Sequence, residues 1–187
     1  MTRMQTSPSP SLYPQNLLDP DYGGDADRHW WAVYTRSRQE KALARELFAQ
    51  AVPHYLPLVE KVTFYGRRRI VAQMPVFANY LFLRVTEDER VVCLATNRVS
   101  RMLPAPDPER FEFDLLQLKR LIAAGAPLTV ESRLGPGKRV RIKRGALAGL
   151  EGTVLERRSG TRLLVAVDFL QQGASVAVDD FLLEPID

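Results

Sequence analysis

Between Gly135 and Val154 the chain alternates cations with β-branched residues and then turns sharply three times on glycine, a pattern that fits little except short strands in a small barrel. Val140 and Ile142 fall on one face of a strand, and Arg139, Arg141 and Lys143 on the other, as a ribbon with one wet side requires. Gly145, Gly149 and Gly152 follow, giving a backbone that can take positive φ and pass close to its neighbours. A second strand is expected from about Glu151, and later ones at Leu163 to Val167, Ser175 to Val178 and Phe181 to Leu183. Five short strands joined at glycine turns predict a β-barrel over 137–187.

Upstream the periodicity is mixed. Trp30 to Tyr34 is aromatic and β-branched and reads as a strand. Ser37-Arg38-Gln39-Glu40 has the spacing of a capping box, so a helix is expected there, with Leu43, Leu47 and Ala51 on its inner stripe and Pro53 beyond its end. Val62 to Tyr65 and Ile70 to Ala72 bracket Gly66-Arg67-Arg68-Arg69 as a hairpin with an arginine tip. Asn79 to Val85 alternates, with Leu81, Leu83 and Val85 opposite Tyr80, Phe82 and Arg84. A short helix over Asp88 to Ala95, a strand near Val99 to Leu103 and a helix from about Glu112 to Ala124 complete an α+β domain.

These elements predict a disordered tail over 1–27, rich in Ser and Pro and holding at most a docking peptide around Leu12, Tyr13, Leu17 and Leu18. An N-terminal domain over 28–125, a linker over 126–136 and the barrel follow. A length of 187 residues with 45% hydrophobic content suffices for two small cores. No apolar run is long enough to span a bilayer, and one cysteine, Cys93, allows no internal disulfide, so a cytoplasmic protein without a membrane contact is expected. Cys93, between Val92 and Leu94, reads as a small buried hydrophobe.

Catalytic chemistry is missing from the pattern. His29 and His54 have no neighbouring ligand at metal spacing, and Gly145 to Gly149 lacks the Lys and Ser/Thr of a phosphate loop. No enzyme, cofactor or metal is expected. A net charge of +4 favours a polyanionic neighbour without identifying it.

The glycine-punctuated stretch resembles a KOW motif. With His29-Trp30-Trp31-Ala32-Val33-Tyr34-Thr35-Arg36-Ser37-Arg38 and Pro75-Val76-Phe77-Ala78-Asn79-Tyr80-Leu81-Phe82 before it, the chain from about His29 onward resembles the NusG family of transcription factors. Asn79 stands where the family usually has glycine, and Leu147 where it usually has phenylalanine. With the long N-terminal extension, these departures are more similar to specialised, RfaH-like members. The resemblance implies an N-terminal antiparallel sheet with flanking helices, a KOW barrel, and an elongation or antitermination factor, expected as a monomer. RNA polymerase is the partner it implies, with Tyr34, Tyr80 and Phe82 lining a depression for the β′ clamp helices. By strand spacing alone these aromatics read as core.

The resemblance also implies contact of Arg36, Arg38, Thr96, Asn97 and Arg98 with the non-template DNA strand. The bland reading of the arginines is a solvated helix end. The polymerase β-subunit contact of RfaH is unmatched, since Glu89-Arg90-Val91-Val92 occupies its place, and such a contact would need different chemistry. Phe169 and Leu170, before Gln171-Gln172-Gly173, would engage Rho or a small-subunit ribosomal protein, or else tuck into the barrel end. The competing function is a ribosome-associated or RNA-binding KOW protein using Lys138, Arg139, Arg141, Lys143 and Arg144 on phosphates.

Overall fold

The computed structural model describes residues 10–22, 26–131, 133, 135–179 and 182–186. In chain order the elements are β1 (Leu12–Tyr13), β2 (His29–Thr35), α1 (Glu40–Ala49), β3 (His54–Tyr55), β4 (Leu58–Tyr65), β5 (Arg68–Pro75), β6 (Tyr80–Val85), α2 (Glu87–Ala95), β7 (Val99–Pro104), α3 (Pro108–Ala123), β8 (Leu128–Glu131), β9 (Arg139–Ile142), β10 (Glu151–Arg157), β11 (Gly160–Val167), β12 (Gln172–Ala177) and β13 (Leu183–Pro185). They divide into two compact units. One comprises the chain to Leu56 and Asn79–Pro104, the other Pro57–Ala78 and Ala105–Asp187.

The first unit is a five-stranded antiparallel sheet in the order β1-β3-β6-β2-β7. On β6 both faces are covered: Leu81, Phe82, Leu83 and Val85 are all buried, so this strand carries a continuous apolar run although its sequence alternates. Helix α1 buries Leu43, Ala44 and Leu47 but ends at Ala49, so Ala51, expected on the same stripe, lies beyond the helix, exposed at φ 54. Its start differs from expectation. Gln39 is the N-cap without a side-chain bond, because Arg38 takes φ 59 and breaks the turn that a Ser37 box would need. Glu40 turns inward instead, and its carboxylate accepts the Asn79 amide at 2.7 Å. A capping box does form at α2, where Thr86 Oγ1 and the Glu89 carboxylate exchange backbone N–H bonds.

The predicted disordered tail is corrected over 10–22. Leu12 and Tyr13 pair with Tyr55 and His54, and Leu17 and Leu18 are fully buried. The Tyr13 ring stands edge-on to Phe48 at 5.4 Å. Apolar burial supplies what this Pro/Ser-containing sequence lacks in periodicity. Residues 1–9 and 23–25 of the expected tail lie outside the described residues. His54 is a structural residue, its ring nitrogens 2.8 and 3.1 Å from the carbonyl oxygens of Val52 and Pro10. Burial pushes the Cys93 thiol up to about 12, which leaves it an inert hydrophobe.

The second unit contains the β4–β5 ribbon, α3 and a six-stranded antiparallel sheet in the order β13-β9-β10-β11-β12-β8, which fits a KOW-like barrel. All five expected C-terminal strands are present, the last displaced to Leu183–Pro185; Phe181 lies outside the described residues. Two corrections apply to the expected domain division. The supposed linker contains β8, which pairs with β12 from Gly173↔Glu131 to Val176↔Leu128. Helix α3, expected to complete the N-terminal domain, packs on β11. Gly152 earns its place by close approach, since a Cβ there would lie 2.3 Å from the Leu164 carbonyl oxygen.

Candidate functional site

Two loops and a strand end meet at one edge of the first unit. The Thr35 amide donates to the Asn79 carbonyl at 2.7 Å, and the Arg36 amide donates to the Arg98 carbonyl at 2.8 Å. The end of β2, the turn before β6 and the loop between α2 and β7 are thereby tied together. Asn79 sits at φ 66, a left-handed conformation that asparagine tolerates far better than most side chains. That explains how asparagine replaces glycine here.

Tyr34 and Tyr80 are direct cross-strand partners on β2 and β6. Their rings meet edge to face, 5.1 Å apart at 68°, and both are half-buried. The Arg101 guanidinium lies over the Tyr34 ring at 5.1 Å. The pair is a half-buried aromatic step, the kind of surface that anchors protein interfaces. Phe82 does not belong to it. It is fully buried opposite Ala32, so its assignment to a partner-facing surface is corrected: both faces of β6 are core at this position.

Of the five residues assigned to DNA, Arg36, Arg38 and Asn97 have exposed side chains, and neither arginine forms an ion pair among the described residues. Arg38 and Asn97 hold positive φ of 59 and 58. Thr96 and Arg98 play a different part. The Thr96 hydroxyl donates to the Cys93 carbonyl at 2.7 Å and accepts from the Arg98 amide. The Arg98 guanidinium donates to Gln39 and pairs with Glu46 at 2.8 Å, which raises its already high pKa. They are struts for the two loops. Arg36 and Arg38 remain as the available cations.

In the second unit Asp168–Leu170 form a single 3-10 turn, and Phe169 is half-buried with its ring 6.0 Å from that of Phe111 on α3. Helix α3 holds the sheet through Asp114 and Gln117 on its buried face and through the exposed Arg120. Asp114 Oδ2 accepts the Asp168 amide at 3.0 Å, Gln117 Oε1 accepts the Glu151 amide at 3.2 Å, and Arg120 donates to the Ala148 carbonyl at 2.9 Å. Burial raises the Asp114 pKa against the smaller opposing pull of the Asp168 amide and of Arg110, whose Nε is 3.0 Å away. Sequence reasoning missed this seat. Its signal was present: Asp114 and Gln117 interrupt the stripe of Phe111, Leu115, Leu118 and Leu121, where polar residues are out of place unless they have partners.

The basic face of β9 is largely neutralised. Arg141 pairs with Glu151 at 2.6 Å and with Glu184 at 3.8 Å, and Arg139 reaches Glu151 at 3.6 Å. Among the described residues no group of three His, Cys, Asp or Glu could hold a metal ion, and no helix is long and apolar enough to cross a membrane.

The edge just described lies inside a stretch with a known counterpart: residues 28–113 match the family model described as transcription termination factor nusG. Over these residues the chain is similar to the NusG family. The chain is also similar to a solved structure described as domain interaction in Thermotoga maritima NusG, at 19% identity, covering 86% of this chain and 98% of that one, with a TM-score of 0.45. No curated protein matches it. The aromatic step and both loops fall within the matched residues, and β9–β13 fall after them.

Proposed function

We propose that this protein binds the clamp of RNA polymerase through the Tyr34–Tyr80 step, favours the closed clamp, and so reduces pausing or termination. The carrying observation is that half-exposed pair, fixed in register on two central strands of the stretch that matches the NusG family. A ligand shifts a conformational equilibrium only by its difference in affinity for the two states. Rigid aromatics suit that task, because they lose little side-chain freedom on docking. The tips of the β′ clamp helices are the partner element that such a step would receive. Arg36, Arg38 and Asn97 would hold the exposed non-template DNA strand beside it.

The C-terminal sheet would recruit a second partner, Rho or a small-subunit ribosomal protein, through Phe169 and Leu170. Phe169 lies against Phe111, so recruitment requires that turn to leave α3. A ribosomal or RNA-binding role for the β9 face is less well supported, since Arg139 and Arg141 are held by Glu151 and Glu184.

The test is capture of RNA polymerase from nuclease-treated lysate by the immobilised full chain and by Tyr34→Ala/Tyr80→Ala. Polymerase should be retained by the first and lost by the second, with circular dichroism unchanged. Equal capture would refute the reading, as would retention of ribosomal components alone.

A further inference from the structure

The β4–β5 ribbon is the part of the molecule whose surface its own fold explains least. The two strands pair only with each other, from Leu58↔Pro75 to Tyr65↔Arg68, and join through Gly66-Arg67, with Gly66 at φ 59. Towards its tip the ribbon exposes apolar side chains on both faces. Val62, Ile70 and Val71 are exposed, and Phe64 and Tyr65 are 67% and 69% accessible. An isolated two-stranded ribbon in water gains nothing from such residues at its free end. An exposed apolar patch of this kind marks a contact.

The charge of the ribbon specifies the partner. From Lys61 to Thr86 the sequence contains no Asp or Glu, while Arg67, Arg68 and Arg69 stand together at the tip. None of the three forms an ion pair among the described residues. The register puts Phe64 directly opposite Arg69 and Tyr65 directly opposite Arg68, so each face of the tip presents one open aromatic ring beside one free guanidinium. An acidic protein surface would use the cations and leave the rings unexplained. Duplex nucleic acid would do the same, since its bases are already stacked on one another. Unpaired bases offer π-faces to the rings while their phosphates meet the arginines.

We propose that the tip of this ribbon binds single-stranded nucleic acid, with Phe64 and Tyr65 stacking on unpaired bases and Arg67, Arg68 and Arg69 holding the adjoining phosphates. Stacking and phosphate contacts do not read the sugar, so single-stranded DNA and RNA should bind alike. The site lies on different residues from the proposed clamp contact and needs no polymerase, so either can fail without the other.

The experiment is fluorescence anisotropy of the full-length chain with a labelled twelve-residue oligothymidylate, the matching oligouridylate, and a twelve-base-pair duplex, over a range of salt. Both single strands should bind more tightly than the duplex. Phe64→Ala/Tyr65→Ala should weaken single-strand binding by about thirtyfold or more, with the salt slope unchanged, since each of the two stacked bases contributes roughly 1–3 kcal/mol. Phe64→Trp/Tyr65→Trp should restore it. Arg67→Ala/Arg68→Ala/Arg69→Ala should flatten the slope by up to about 2, at about 0.7 per lost phosphate contact on a single strand. All these side chains are exposed, and circular dichroism checks that the fold is kept. Three results would each overturn the proposal: unchanged single-strand affinity in the aromatic variant, a duplex bound as tightly as the single strands, or binding removed by Arg36→Ala/Arg38→Ala and untouched by the ribbon variants.

Discussion

Phe82→Ala separates a core residue from a binding residue. Phe82 is fully buried on β6, with Leu81 and Leu83 also buried beside it, so truncation removes a whole ring from a packed sheet. Phe to Ala in such a core costs about 3–5 kcal/mol. In a unit of this size each kcal/mol lowers the melting temperature by about 4–8 °C, so a fall of more than about 12 °C is expected. Tyr34→Ala provides the contrast. It is half-buried and loses an edge-to-face contact and a cation–π contact with Arg101, together about 1–2 kcal/mol. Thermal and urea denaturation of the full chain, followed by circular dichroism, would show Phe82→Ala strongly destabilised and Tyr34→Ala mildly so. Any loss of polymerase binding by Phe82→Ala would then track the unfolded fraction. A Phe82→Ala protein within about 1 kcal/mol of wild type would refute the assignment of both faces of β6 to core.

Glu40→Ala should cost about 1–3 kcal/mol in urea denaturation, because the Asn79 amide loses its acceptor, while Glu40→Gln, which keeps one, should retain most of the stability. Since Tyr80 follows Asn79, Glu40→Ala should also weaken polymerase binding beyond what unfolding accounts for. The Asp114 pKa is raised by burial, so the folded chain holds that proton to higher pH than the unfolded chain does. Its contribution to stability is therefore greatest at low pH and is lost as pH rises through the raised value. Asp114→Asn keeps an acceptor for the Asp168 amide without the buried charge, so melting curves between pH 4 and 8 should show it at least as stable as wild type at neutral pH, with that part of the pH dependence removed. Destabilisation by more than about 2 kcal/mol at neutral pH would mean that the Arg110 pair outweighs burial.

The elements with a strong local pattern were legible in the sequence. β2, α2, β7 and the C-terminal strands lie within a few residues of where periodicity and glycine turns put them. What stayed hidden depends on tertiary partners. β1 is two residues in a Pro/Ser-containing segment, and only its pairing with β3 and the burial of Leu17 and Leu18 make it structure. β8 was read as linker because four residues, half of them exposed, carry no periodicity, and its partner β12 lies over 40 residues away. Ser37 had the right spacing for a capping box, but Arg38 at positive φ and Glu40's bond to Asn79 override it. For Phe82 alternation gives a face and not whether that face is covered. The paired tyrosines were legible as residues, but their ring contact and the strut role of Arg98 depend on side chains far apart in sequence.

The most direct test of the account is a photocrosslinker placed at Tyr80 of the full chain, irradiated with purified RNA polymerase in a stalled elongation complex. The account predicts a crosslink to the β′ subunit, mapped by peptide sequencing to the tips of the clamp helices and abolished by competition with unlabelled wild-type protein. A crosslink to another subunit only, or none while a probe at Arg141 on the β9 face crosslinks efficiently, would contradict it.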